Sequence, residues 1–421
     1  MYQKTIENQV FDQERALYGS ESLQVIGCRF DGPADGESAF KECRDIRVAD
    51  TFFNLRYPFW HDTGLKMENC RLTALCRAAL WYSEDVTIEN CELHGIKALR
   101  ECGKITMRGC DVISAEFGWS TRGIAMADCT VQGEYFMLRS ENLLFSNVHL
   151  KGKYSFQYIE NSVFDNCVLD TKDAFWHAKN ITVRNSIVKG EYLAWYSENI
   201  TFENCVICGT QPLCYCKGLK LINCRMESTD LCFEKSHVEA TLTAPVDSIK
   251  NPLTGFICAP ACGEQIWDDP KAAATVLIGA FSSSETARRI LQEQDYTCVL
   301  CAGNVIHTTT SRGVKPLVQL LHQNTDVAGF SAADKVVGRA TAFLYCLLGV
   351  SRIYARVISR GALDVLQAHG IGVEYDTLAE YIVNRAGDGM CPFEAAVQRI
   401  QDPTAALDAI YKKMEQMHIS I

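Results

Sequence analysis

Nowhere in this chain of 421 residues do eighteen apolar residues run together, so no segment reads as a membrane-spanning helix. The opening MYQKTIENQVFDQ has no apolar core of the kind that directs secretion, and the expected location is cytoplasmic. Basic charge is short as well: 41 Lys and Arg stand against 51 Asp and Glu, a net charge of −10. That balance argues against nucleic acid and membrane surfaces as partners. Metal-ligand spacing is scarce. Cys258-x3-Cys262 and Cys298-x2-Cys301 are isolated pairs with no second pair or His close by, so no metal and no cofactor is expected. Cysteine itself is abundant, at 21 residues, and its placement reveals the fold.

Cys91, Cys110, Cys129, Val148, Cys167, Ser186, Cys205 and Cys224 follow one another at 19 residues, seven times running. Cys28, Thr51 and Cys70 extend the column upstream. A fixed period of this kind marks a repeat architecture. Three residues before the marker every position is apolar, from Val25 to Leu221, and two residues after it every position is apolar, from Phe30 to Met226. Alternation of period two on both sides means strand. Immediately before the marker only Asn, Asp and Gly occur, the residues that tolerate a left-handed backbone. A second, less strict turn column runs through Gly64, Asp85, Asn142, Asn161, Asn180, Asn199 and Gly218. Leucine-rich repeats are excluded, because the position where they need a further Leu holds Asp62, Ser83, Cys102, Thr121 and Ser140. The pattern predicts a single-stranded right-handed parallel β-helix of about eleven coils. Its eight marker cysteines then act as buried small apolar groups.

The expected domains are a β-helix over 1–270, a linker over 271–283 and an α/β domain over 284–421. Residues 1–22 are expected to cap the first coil, since a repeat end otherwise exposes an unpaired edge. Asp31 to Gly36 reads as an inserted loop, and Pro245 to Asp269 as turns and short strands closing the far end. Beyond Glu285 the grammar changes. Helices are expected at 285–294, 313–323, 332–348, 361–369, 392–400 and 403–417. Strands are expected at 296–302 and 305–309, joined by a Gly303-Asn304 turn, and at 352–358 and 373–375. This order gives a three-layer α/β domain.

Nine residues after the marker, five of the six tryptophans fall in one outward column: Trp60, Trp81, Trp119, Trp176 and Trp195, with Arg100 among them. The adjoining column holds His61, Tyr82, His177 and Tyr196. Stacked aromatics interleaved with polar groups suit a sugar, a peptide or a second subunit. They suit equally a ladder that stabilises the coil itself. Polysaccharide cleavage would need carboxylates clustered on adjacent coils, and Asp62, Glu101, Asp173 and Glu234 are scattered over this face.

The motifs T-S-R-G-V-K-P-L (310–317), A-D-K-V-V-G-R-A (333–340), V-I-S-R-G-A-L (357–363) and N-R-A-G-D-G-M-C-P-F-E (384–394) make residues 285–417 resemble an uncharacterised bacterial and archaeal domain of cytidine-deaminase-like fold. N-P-x-x-G (251–255) and G-E-x-I-x-D-D (263–269) make the repeat half resemble an uncharacterised bacterial β-helix family. Neither resemblance carries an activity. A zinc deaminase needs H-x-E or C-x-E at one helix start and P-C-x-x-C at the next. The helix starts that the resemblance implies, Ala332–Lys335 and Ser359–Ala362, lack them.

What remains is a metal-free site. Asp334, Ser359 and Cys391 are each expected near a helix start, where free N–H groups favour an anion, and Arg312, Lys335 and Arg360 supply positive charge. Cys391-Pro392-Phe393-Glu394 has the form of a capping box, and a helix N-terminus lowers a thiol pKa. The expected function is binding or sensing of a small anionic, nucleotide-like ligand at these residues. The competing classes are an enzyme with Cys391 as nucleophile, a structural or assembly scaffold, and a carbohydrate-active β-helix. A small-molecule ligand and a homo-oligomeric partner both fit this reading.

Overall fold

The computed structural model describes residues 2–32 and 37–420, so the inserted loop expected at Asp31–Gly36 lies mostly outside the described residues. The chain divides into two compact units, Met1–Ala274 and Thr275–Ile421.

The first unit is a parallel β-helix. Six-residue strands such as Arg44–Ala49, Thr63–Glu68, Glu84–Glu89 and Gly103–Arg108 stack in parallel, with Val48 opposite Met67, Met67 opposite Ile88 and Ile88 opposite Met107. One αL residue turns the chain into a second, shorter strand, such as Arg71–Leu72 or Glu92–Leu93, which stacks likewise. A third face begins with two-residue strands at Phe40–Lys41, Phe59–Trp60, Leu80–Trp81 and Leu99–Arg100. Inside, phenylalanines stack along the rod: Phe11 on Phe30 at 4.7 Å, Phe30 on Phe53 at 5.0 Å and Phe156 on Phe175 at 5.1 Å.

The ladder runs further at both ends than the repeat pattern predicts. Lys4–Glu7 pairs in parallel with Leu23–Ile26, so the N-terminal residues add a strand to the ladder. Past Glu234, His237–Leu242 and Thr254–Ala259 continue the long-strand ladder, and Val246–Lys250 pairs in parallel with Cys262–Ile266. The step shortens there, with 17 residues between the paired His237 and Thr254 and 16 between Val246 and Cys262, and the register shifts between Leu221 and Cys224.

Every residue of the Asn/Asp/Gly column has positive φ, from Gly27 at 62° to Asn223 at 53°. So has the second turn column, which also takes in Asp45, Lys104 and Gly123. A third left-handed corner was not expected. His61, Tyr82, Glu101, Ser120, Arg139, Tyr158, His177, Tyr196 and Tyr215 all have φ between 49° and 60°. The αL conformation costs a non-glycine residue about 1–2 kcal/mol. Here the strain is offset by a coil-to-coil backbone hydrogen bond and by ring stacking, His177 on Tyr196 at 5.1 Å and Tyr196 on Tyr215 at 4.8 Å.

The marker column is buried throughout, but its residues are more than small apolar fillers. The N–H of Cys110 donates to Cys129 Sγ at 3.4 Å, that of Cys70 to Cys91 Sγ at 3.2 Å, and that of Cys167 to Ser186 Oγ at 2.9 Å. Each thiol or hydroxyl thus satisfies a corner N–H of the preceding coil, which explains why Cys, Ser and Thr share the column. A parallel column repeats the device: Asp62 Oδ1 accepts from Cys43 N, Ser83 Oγ from Asp62 N, and Ser140 Oγ from Thr121 N. Asp62, expected on the outer face, is therefore interior and 1 % exposed.

In the second unit Thr275–Ile278 is a strand, within the stretch expected to be linker. Helix α1 (Ser283–Glu293) is capped by Ser282, whose side chain accepts from Glu285 N. Strands β1 (Cys298–Ala302) and β2 (Val305–Thr309) form the expected hairpin. Helix α2 (Lys315–His322) follows, with Pro316 in its first turn. Residues 331–337, expected as the start of a long helix, form strand β3 (Ser331–Val337), and only Arg339–Leu348 is helical, as α3, ended by Gly349 at φ 67°. A short apolar run reads alike as buried strand and as helix. Tertiary pairing decides: β3 is antiparallel to β1 on one side and parallel to β4 (Arg352–Ser359) on the other. Helix α4 (Arg360–Ala368), strand β5 (Gly372–Ala379), and helices α5 (Pro392–Ala396) and α6 (Pro403–Gln416) complete the unit. The sheet order is β2-β1-β3-β4-β5. No helix among the described residues is long and apolar enough to cross a membrane.

Candidate functional site

At the edge of the sheet where β2 and β3 end and β1 begins, a cavity of about 360 Å³ opens among Asp295, Thr297, Ser311, Arg312, Asp334 and Lys335. The register explains the convergence, because Asp334 lies opposite Cys298 at the start of β1, and Lys335 N donates to Thr297 O. Arg312 arrives from the loop between β2 and α2. Helix α2 opens at this cavity through Gly313, Pro316 and Leu317, and no side chain caps its first N–H groups.

Asp334 is 9 % exposed. Its carboxylate accepts from Tyr345 Oη at 2.7 Å and from Val336 N at 2.9 Å. Burial raises its pKa to about 6, against the two hydrogen bonds that favour the anion. Cys298 Sγ lies 3.1 Å from Tyr345 Oη. With the hydroxyl proton committed to Asp334, the thiol is the donor in that contact, and burial together with Asp334 pushes its pKa upward. Lys335 Nζ reaches Asp295 Oδ1 at 3.0 Å, whereas Arg312 is exposed and has no carboxylate partner among the described residues.

Of the residues expected to share one pocket, Arg312, Asp334 and Lys335 do so; Ser359, Arg360 and Cys391 do not line it. Ser359 is the N-cap of α4 and accepts from Ala362 N at 3.2 Å. Arg360 is exposed on the first turn of that helix. Cys391 is half-buried, and its N–H donates to Ile382 O at 2.7 Å. That bond leaves no amide for the expected capping box, and Glu394 turns elsewhere. Its carboxylate accepts from Ile382 N at 2.8 Å and Arg339 N at 3.4 Å, tying the loop after β5 to the start of α3. Tyr345, Thr297 and Ser311 were not singled out from sequence, and Cys298 only as half of an isolated cysteine pair. Their signal is the register of β1 against β3, which appears only once 331–337 is read as strand.

On the β-helix the tryptophan column lies outside the coil and is half-buried. Each indole donates to a carbonyl of the next coil: Trp60 to Ala78, Trp81 to Lys97, Trp119 to Tyr135, Trp176 to Tyr192 and Trp195 to Gln211, all at 2.7–2.8 Å. Trp60 stacks on Trp81 at 5.2 Å and Trp176 on Trp195 at 5.6 Å. The Arg100 guanidinium fills the break between Trp81 and Trp119, at 4.8 and 4.7 Å. These faces and donors serve the coil's own ladder. In the two coils after Trp195 the equivalent residues, Cys214 and Phe233, turn inward and are fully buried. Among the described residues no group of three or more His, Cys, Asp and Glu side chains is arranged to hold a metal ion.

The architecture is that of a parallel β-helix protein carrying an α/β unit with a polar cavity. The model of a family described as a protein of unknown function, DUF3737, matches residues 4–278, and the chain belongs to that family. A second model, a domain of unknown function named DUF1893, matches residues 286–414. The crystal structure of a DUF1893 family protein from Thermotoga maritima is 29% identical over 30% of this chain and 85% of its own, with a TM-score of 0.29. The Streptococcus pneumoniae surface adhesin PfbA is 8% identical over 69% of this chain and 77% of its own, with a TM-score of 0.32. A tailspike protein of the E. coli bacteriophage HK620, solved with a pentasaccharide, is 9% identical over 61% of this chain and 62% of its own, with a TM-score of 0.33. No curated protein matches the chain.

Proposed function

We propose that this is a binding or sensing protein whose α/β unit holds a small anionic, nucleotide-like ligand in the Asp334 cavity. The observation that carries the reading is a buried carboxylate inside a polar cavity, with two cations, Arg312 and Lys335, among the lining residues. Asp334 accepts from the N–H edge of a heterocycle, and an anionic group meets Arg312 and the uncapped first turn of α2. We read the unit as deaminase-like in fold, supported by its sheet order. The helices that follow β2 and β3 then occupy the places of the zinc-bearing ones. They begin at Arg312–Lys315 and Gly338–Arg339, without Cys or His. We also place the protein in the cytoplasm, where its free cysteines stay reduced.

The test is thermal-shift and calorimetric titration with AMP, CMP, GMP and UMP. At least one is expected to bind, with affinity reduced tenfold or more by Arg312→Ala and by Asp334→Asn. Absence of binding by all four, or binding unchanged in both variants, refutes the reading.

A further inference from the structure

The aromatic ladder of the third corner is interrupted once. His61 stacks on Tyr82 at 4.8 Å, and Tyr158 begins a second run through His177, Tyr196 and Tyr215. Between Tyr82 and Tyr158 the same corner carries Glu101, Ser120 and Arg139, with the same left-handed backbone. Four coil steps separate the two tyrosines, roughly 19 Å at the usual strand spacing. Tyr82 has one face covered by His61 and the other turned toward the gap, whereas Tyr158 lies between His177 and the Arg139 guanidinium. A groove of about 680 Å³ occupies it.

The charges along this groove are arranged unlike those of the surrounding ladder. One column beyond the corner, Lys179 and Lys217 flank Glu198 at 4.0 and 3.5 Å. At the groove the same column places Glu141 directly opposite Glu160, a like-charge pairing that costs stability. Arg122 is Glu141's other neighbour in register, yet none of Glu101, Arg122, Glu141 and Glu160 forms an ion pair among the described residues. The Arg139 guanidinium lies over the Tyr158 ring at 5.9 Å and forms no ion pair among the described residues.

We infer that this interruption is a binding groove for a neutral, linear pyranose oligosaccharide. The C–H faces of pyranose rings are electropositive at their hydrogens and pack on the negative face that Tyr82 turns toward the gap. Unpaired carboxylates and guanidiniums of both signs supply acceptors and donors for vicinal hydroxyls. The three carboxylates disfavour a polyanion, whether nucleic acid or acidic glycan. The density of charge disfavours a protein partner, since charged residues are depleted from interface cores. Ser120 in the middle of the gap leaves the space a ladder ring would fill.

The ladder itself supplies the test, because tyrosine already occupies this αL corner at four other coils. In full-length Ser120→Tyr the added ring stands between Glu101 and Arg139 and fills the middle of the groove. The wild type is titrated calorimetrically with cellohexaose, maltohexaose, mannohexaose and xylohexaose, and with alginate and polygalacturonate oligosaccharides as acidic probes. Binding of at least one neutral hexasaccharide is expected. Ser120→Tyr is expected to weaken it tenfold or more while its thermal midpoint stays unchanged or rises, and Arg312→Ala is expected to leave it unaltered. The inference fails if all four neutral probes are silent, if only the acidic ones bind, or if Ser120→Tyr binds like the wild type. None of these outcomes bears on the Asp334 cavity.

Discussion

Tyr345 gives its hydroxyl proton to Asp334 across 2.7 Å of buried space. This bond joins α3 to the middle of β3 and holds a carboxylate where burial alone would neutralise it. Replacing the tyrosine by Phe leaves Asp334 with only the Val336 amide as donor. The expected cost to the α/β unit is about 1–3 kcal/mol, the usual penalty for stripping a partner from a buried polar group.

The same carboxyl sets a pH dependence with a definite sign. Its pKa is raised from 3.8 to about 6 in the folded unit, so the folded state binds more protons than the unfolded one between those values. Stability therefore falls as pH rises from about 4 to 6 and is flat above that. The full effect is on the order of 3 kcal/mol. Denaturant titrations of Asp334→Asn followed by far-ultraviolet dichroism should lose this slope, and an unchanged slope would show that another group titrates there.

Asp62 makes a larger prediction in the other unit. One of its oxygens accepts from Cys43 N, while Oδ2 has no partner among the described residues, and burial raises its pKa to about 8. By the same sign argument the β-helix loses stability as pH climbs from about 4 to 8. Serine, which stands at positions 83 and 140 of this column, keeps an acceptor without the charge. Asp62→Ser is expected to stabilise the β-helix at pH 8–9 and to flatten its pH profile. All six tryptophans lie before residue 275, so their fluorescence reports on this unit alone.

The coils were legible in sequence because burial imposes the same small menu of residues every 19 positions. Asn204 and Cys205 announce a corner and an interior point whatever their neighbours do. The aromatic corner was not legible in the same way: Tyr196 at φ 60° breaks the rule that left-handed positions want Asn or Gly, and stacking, a contact between coils, offsets the strain. Asp62 failed for a related reason, since its burial rests on a backbone N–H supplied by Cys43 nineteen residues earlier. In the α/β unit Asp334 was grouped with Ser359 and Cys391 as residues near helix starts, but 331–337 is strand and only the other two precede helices. With 331–337 as strand, the cavity shifts toward β1 and β2, and Tyr345 becomes visible as Asp334's partner.

The marker thiols should behave as buried hydrogen-bonding groups. Of the 21 free cysteines, Cys208, Cys258, Cys262, Cys346 and Cys391 are half-buried and the rest buried. Native labelling with a thiol reagent is expected to modify at most these five quickly. Cys129→Ser should be nearly neutral, whereas Cys129→Val removes the acceptor for Cys110 N–H and should cost about 1–3 kcal/mol. Equal stability of the two variants would reduce the column to simple packing.

Glu394 offers the sharpest separation of fold from site. It is 4 % exposed and 12 residues beyond Ile382, whose N–H it accepts at 2.8 Å. Its other oxygen meets the first amide of α3, where the helix N-terminus favours negative charge. Glu394→Ala strands both amides and leaves a void, with an expected loss of about 2–4 kcal/mol from the α/β unit. Glu394→Gln keeps one acceptor and should recover roughly half. Hydrogen exchange should then rise in residues 380–391 before the rest of the unit, because Glu394 and the Cys391 amide are what tie that loop down. If exchange instead rises uniformly, the loop is held by the whole core and the carboxylate is only one contact among many. The nucleotide binding proposed for the Asp334 cavity should survive Glu394→Gln, since neither Glu394 nor Ile382 lines it.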